Sequence, residues 1–399
     1  MHVQMTNVKT HVVEIAIRGN SVECNKNSGN FKAVRVADRR WAILSTDEDN
    51  LDDLVDRAKM LASKEGEGIQ LADAELAIGD FKFKEGYFDE ESAIELLMDL
   101  KRELGGFIEA ILTYEKTFRE IRTSDGADAR EEKETTDLNL SVLERGVASI
   151  HVGGIGGLEI IEDKFEFLID ELRGRINGLK KAKYLNPLMR GSKFDVILSK
   201  ETACAFVHEI VHKLEADILS TEIEEGYGIT VYDNPMGFGG YHFDDEGVLA
   251  KEKCLIDDGK IITYLHTRES AFKFGEEPLG NGRGIFTIPK AFQTNLFVER
   301  GDWSFDEMVE ETREGFIAEG LIKAEIQNEI VTIYPEICWY VKNGEMICPA
   351  IVNCIRIPVR EALKRIKAVG KEHFERIGYE KGFAISETSP PIAIEATVS

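Results

Sequence analysis

None of the six cysteines (Cys24, Cys204, Cys254, Cys338, Cys348, Cys354) forms a CxxC pair, and a chain of 399 residues needs no disulfide framework to hold its core. Such cysteine usage suits a reducing cytoplasm. No stretch approaches the roughly 18 unbroken apolar residues of a membrane span. The opening segment, MHVQMTNVKTHVVEIAIRGN, has no basic region followed by an apolar run, so no secretory signal is expected. Positive charge is scarce: 49 Lys+Arg stand against 73 Asp+Glu, a net charge of -24. That self-repelling surface argues against nucleic acid or an anionic membrane as the main partner. No internal repeat or low-complexity tract is visible.

What is present is a globular composition, 43% hydrophobic and 31% charged. The length predicts two domains, three at most. Residues 10–46 read as strands, with turn residues at Asn25–Asn30. Asp47–Lys64 opens acidic, ends basic and spaces Leu51, Leu54, Val55, Ala58 and Leu61 helically. Residues 90–104 repeat that pattern. Strands are expected over 110–122 and 139–152, with a solvated loop, SDGADAREEKETTD, between them. A helix over 163–183 ends at YLNPLMRGS, where Pro187 and Gly191 break both periods. This divides the chain into 1–188 and 189–399. Beyond it come a strand FDVILS, a helix over 201–219, glycine-rich alternating segments that read as antiparallel strands and turns, a helix over 304–319, strands around 330–342, a helix over 358–375 and a strand-like tail. The expected class is α+β: an N-terminal α/β domain, then a larger β-rich, antiparallel domain.

Two glycine-rich segments resemble ligand loops. His151-Val-Gly-Gly-Ile-Gly-Gly lacks the Lys-Ser/Thr of a P-loop and misses the dinucleotide spacing, so it reads as a flexible turn between strand and helix. In Gly280-Asn-Gly-Arg-Gly, backbone needs explain the glycines. Asn281 and Arg283 are candidates for substrate binding, because a planar guanidinium among turns suits a carboxylate or a peptide terminus. The alternative is an exposed turn arginine.

One segment carries chemistry: Phe206-Val-His208-Glu209-Ile-Val-His212-Lys-Leu-Glu215-Ala-Asp217. On a helix, His208 and His212 lie one turn apart on one face and can hold one cation. Glu209 beside the first ligand suits a general base for hydrolysis, the HExxH arrangement. Glu215 lies on the same stripe as a third ligand or as a partner that orients a histidine. The alternative is a surface helix with two solvated histidines beside carboxylates.

The segment HEIVHKLEAD resembles the metal motif of the TldD/PmbA peptidases. The resemblance extends to VRVADRRWAILST in the first part, and to DDEGVLAKEKCLIDDGKIITYLHTRESA, LGNGRG and YVKNGE, in the family's order, in the second. It implies an α/β first domain, a β-rich second domain with the metal helix beside an extended-peptide cleft, and zinc peptidase activity on unfolded peptides. It also implies a homodimer, or a heterodimer with a related subunit.

Two departures set up rival expectations. The family spaces its histidines five apart, against four here, and it supplies a cysteine ligand from a C-terminal glycine-rich loop. The matching loop here, Ile377-Gly-Tyr-Glu-Lys-Gly, puts isoleucine where that cysteine belongs. Two histidines alone fall short of the three ligands plus water of a catalytic zinc site. Glu215, Cys338 or Cys354 could substitute, and nothing in the sequence picks one. The first expectation is a TldD-like zinc peptidase with His208 and His212 as ligands and Glu209 as base. The rival is a metal-free, inactive subunit of the same fold that binds peptides or partners an active chain.

Overall fold

The computed structural model describes the chain except for residues 49–50, 144–145, 185 and 219–221. Strands dominate it. The first half is built on a seven-stranded sheet. Its strands run Trp41–Thr46, Ser21–Ala37, His2–Arg18, Phe107–Thr123, Asp128–Leu143 and Ile78–Lys82, with Val147–Ile155 also paired to Asp128–Leu143. All neighbours are antiparallel except Ile78–Lys82, which runs parallel to residues 128–132. Val13, Ile15 and Ile17 alternate inward along one strand and meet Ala93, Leu97 and Leu100 of the helix Glu90–Leu104 and Leu168 and Leu172 of the helix Phe165–Lys181. Asp89 caps the first of these helices by accepting from Ser92 N at 2.9 Å.

Several expected boundaries move. The first turn lies at Gly19-Asn20, and residues 25–30 belong to Ser21–Ala37. Those residues are polar because that part of the strand is exposed along both faces. The expected loop SDGADAREEKETTD shrinks to a turn at 124–127. Part of its charge is buried and paired: Glu131 lies against Arg119 at 3.3 Å and His242 Nδ1 at 2.9 Å. The first turn of the expected 47–64 helix includes residues outside the described set, and the helix itself is Asp52–Ala62. His151–Gly157 is no flexible turn, since Gly153 and Gly154 lie within Val147–Ile155.

In the second half, five strands pair in a closed ring: Glu314–Gln327, Ser192–Leu198, Ile392–Val398, Ile355–Pro358 and Ile330–Lys342. Glu345–Ile351 and the short Lys183–Tyr184 extend it. A second sheet runs Lys260–Ile261, Lys253–Asp257, Val231–Asp233, Asn295–Val298, Phe383–Ser389 and Phe374–Glu380. The helix Glu201–Val211 is buried along its whole length, and Phe206, Val207, Ile210 and Val211 join the core shared by both sets of strands. It ends earlier than expected. Short 3₁₀ turns follow at His212–Leu214 and Ala216–Ile218, and residue 219 lies outside the described residues.

Two expected helices are corrected. The 304–319 segment is helical only over Phe305–Glu311, and Glu314 onward is strand, because Phe316, Ile317 and Ala318 are buried between Ser192–Leu198 and Ile330–Lys342. The 358–375 segment holds one turn, Val359–Glu361, then the strand Ile366–Val369 paired to Ile392–Val398, and Phe374–Glu380 begins. Its helix-forming composition yields to strand pairing. Phe374–Glu380 and Phe383–Ser389 form a hairpin whose two turn residues, Lys381 and Gly382, both have positive φ (52° and 83°).

Candidate metal centre

The helix Glu201–Val211 and the turn after it present His208 and His212 to that hairpin. The two rings meet edge to face with centroids 4.6 Å apart. Their Nε2 atoms are 3.0 Å from each other, and Glu380 Oε2 lies 2.7 Å from His208 Nε2 and 3.0 Å from His212 Nε2. Three donors from two distant segments therefore converge on one point.

The opposite side of each ring is bonded to a carboxylate. His208 Nδ1 donates to Glu387 Oε1 at 2.6 Å, and His212 Nδ1 to Glu215 Oε1 at 2.6 Å. With each Nδ1 holding a hydrogen, both Nε2 lone pairs face one another and a carboxylate oxygen. A cation at the centre, a proton or a metal ion, reconciles that contact, and two imidazole nitrogens with one carboxylate oxygen are donors that a divalent metal accepts. Burial opposes charge on His212, yet Glu215 and Glu380 raise its pKa to about 9. Burial likewise disfavours a charged Glu387, but Arg376 and His208 bring it down to about 2. Arg376 grips Glu387 with Nε at 2.8 Å and Nη2 at 3.0 Å. The Gln293 amide lies 2.6 Å from His208 Nδ1, closing the ring's buried side.

A cavity of about 590 Å³ opens on this cluster. Glu209 lines it beside His208. Burial pushes its carboxyl up from the usual range, against the pull of the two histidines. Ala324, Glu325 and Ile326 of Glu314–Gln327 line it too.

The structure thus brings His208, Glu209, His212 and Glu215 together, with Glu215 holding a ring from behind instead of facing the centre. It does not bring Asn281 and Arg283 into the cavity. Asn281 donates to Asp233 Oδ2 at 2.8 Å and to Phe292 O at 3.0 Å, and it accepts from Lys253 Nζ. The Arg283 guanidinium is sandwiched between Tyr241 and Phe383, 4.7 and 4.4 Å from the ring centroids. Cys338 and Cys354 are core residues. Ile377 is buried against Gly153, on the face of its strand turned away from the histidines. The third donor, Glu380, sits three residues further along the same loop. Sequence reading weighed Glu215, Cys338 and Cys354 as the third ligand and missed Glu380; the available signal was an acid immediately before a Lys-Gly turn.

The family model described as PmbA/TldA metallopeptidase C-terminal domain matches residues 191–398. The chain belongs to the TldD/PmbA family. A metalloprotease of Methanocaldococcus jannaschii is 28% identical over 398 residues, covering 90% of this chain and 87% of that protein. A metalloprotease of Methanothermobacter thermautotrophicus is 34% identical over 245 residues, 57% of this chain and only 53% of that protein's length. A zinc metalloprotease TldD homologue of Saccharolobus solfataricus is 24% identical over 233 residues, 52% of this chain and 51% of that protein. The fold is that of TldE from Thermococcus kodakarensis, with a TM-score of 0.75 at 16% identity over 100% of this chain and 96% of the other. As a TldD/PmbA protein the chain is strand-rich, and among its described residues no helix is long and apolar enough to cross a membrane.

Proposed function

We propose that this TldD/PmbA chain is a zinc-dependent peptidase whose metal ligands are His208, His212 and Glu380. The observation that carries this reading is the convergence of both Nε2 atoms and Glu380 Oε2 within 3.0 Å of one another, each ring fixed from behind by a carboxylate. Two imidazoles and one carboxylate with an open side are a donor set suited to catalytic zinc, and a relative is named a zinc metalloprotease. When held there, zinc supplies Lewis acidity for hydrolysis. Glu209 accepts the attacking water's proton and hands it to the leaving amine, a role for which its raised pKa suits it. The rival metal-free reading rests on the missing thiolate and on the shortened histidine spacing; against the first, Glu380 supplies a carboxylate beside both rings.

The substrate is an unfolded peptide held as an added strand. Support comes from Glu314–Gln327. Its pairing with Ser192–Leu198 stops at Ala318, and beyond its bulge at residues 321–323 only Ile330–Lys342 pairs with it among the described residues. That open edge borders the cavity, where main-chain bonds give affinity with weak demand on side chains. The working assembly in this reading is a homodimer or a heterodimer with a related chain, in a reducing cytoplasm.

Glu209→Gln tests the assignment. The variant keeps the shape of the side chain and removes the base. It should retain the metal while hydrolysis of an unstructured peptide falls roughly 10²–10⁴-fold. Metal lost together with activity would make Glu209 a ligand instead.

A further inference from the structure

The strand Phe374–Glu380 also lines the cavity, and its alternation puts Arg376, Gly378 and Glu380 on one face of it, with Tyr379 reaching the lining as well. The middle position is empty. A methyl group built on Gly378 would meet no atom within 4 Å, and the residue does not have the positive φ that calls for glycine. The backbone therefore does not require glycine there, and no neighbour needs the room. The space lies between the proposed third ligand and an arginine whose Nε and Nη2 are committed to Glu387. Arg376 Nη1 has no hydrogen-bond partner among the described residues.

We infer that the gap at Gly378 is the track along which a peptide main chain crosses the site, and that Arg376 Nη1 donates to a main-chain oxygen of that peptide away from the cleaved bond. The inference rests on the peptide-binding reading above and adds the residues that position the chain. A guanidinium neutralised by Glu387 does not favour acidic side chains over neutral ones. It is a fixed two-hydrogen donor suited to a backbone carbonyl or to the terminal carboxylate, each of which any peptide offers. Arg376 is on this account a positioning residue, one that also holds Glu387 against His208.

The test measures binding apart from turnover. A short fluorescein-labelled unstructured peptide of Ala, Leu and Ser is titrated against zinc-saturated full-length protein by anisotropy, with metal content and melting temperature recorded for each variant. Gly378→Val should weaken binding roughly tenfold or more, with metal and melting temperature held. Gly378→Ala should fall between the two. Arg376→Lys should weaken binding of free-acid and amidated peptides alike if the acceptor is an internal carbonyl, and of the free acid alone if it is the terminal carboxylate. Parental affinity in Gly378→Val overturns the track, and parental affinity in Arg376→Lys for both peptides overturns the donor. If valine disturbs the hairpin, seen as lost metal, Gly378→Ala decides by the same criterion. A parent that binds no peptide overturns the inference as well. A parent that binds peptide but never cleaves it removes the peptidase reading and leaves the track standing.

Discussion

Each histidine of the centre depends on a carboxylate behind it. Glu387 and Glu215 accept the Nδ1 hydrogens at 2.6 Å, so they set the tautomer that turns Nε2 toward the centre. Glu387→Gln and Glu215→Gln should each weaken zinc binding by roughly 10–100-fold, measured by competition with a chromophoric chelator. Unchanged affinity in both would mean that the rings are held by packing alone. The HEIVH pair and Glu209 were legible in the sequence because helical spacing is local. Glu380 and Glu387 were not, because they lie well over 150 residues away and only the hairpin's fold over the helix brings them to the rings. The third ligand was sought at Glu215, Cys338 or Cys354, none of which lies on that hairpin.

Among the elements, the hairpin Phe374–Ser389 carries both acids, and its seat on the first sheet depends on a glycine. A Cβ on Gly153 would lie 2.6 Å from Ile377 Cδ1 and 2.6 Å from the carbonyl oxygen of Thr136. The side chain can yield, but the paired strand's backbone cannot do so easily. Gly153→Ala should cost roughly 1–3 kcal/mol in urea unfolding and should weaken metal binding as the hairpin shifts. A fully stable variant with parental metal affinity would show that the hairpin is placed by the second half alone. The same region shows why strand positions were hard to read. Asp128–Leu143 is rich in charge because its acids and bases pair with charges on the neighbouring strands, and Glu131 also with His242 of the second half, and charge in a strand reads as loop. Residues 358–375 have a helix former's composition, yet Ile366–Val369 completes an edge beside Ile392–Val398. That partner is invisible to any local pattern.

For the molecule as a whole, the joint between the halves is ionic and buried. Arg119 meets Asp245 at 2.7 Å, and Arg35, itself fully buried, bonds Gln4 at 2.9 Å and the Asp245 carbonyl. Glu246 is buried there too. Burial and then the neighbouring Asp244 raise its carboxyl well above the ordinary range, while its Oε2 accepts from Arg268 N at 2.8 Å. The sign follows from proton linkage. The folded chain keeps this proton at pH values where the unfolded chain has released it, so the contribution is complete below the ordinary carboxylate range and is lost as pH rises through the raised value. Glu246→Gln should therefore gain stability relative to the parent as pH climbs from roughly 5 to 8, read as the difference in urea midpoints. A difference that stays flat with pH would show that Glu246 is charged in the folded protein.

The central claim is a metal held by two imidazoles and one carboxylate, and metal content tests it most directly. Protein purified with zinc present, and analysed by inductively coupled plasma mass spectrometry, should carry about one zinc per chain. The His208→Ala, His212→Ala double variant should carry none, and Glu380→Ala should lose most of it to a mild chelator that leaves the parent loaded. A parent without bound metal, or a Glu380→Ala variant that holds zinc as tightly as the parent, would contradict the account.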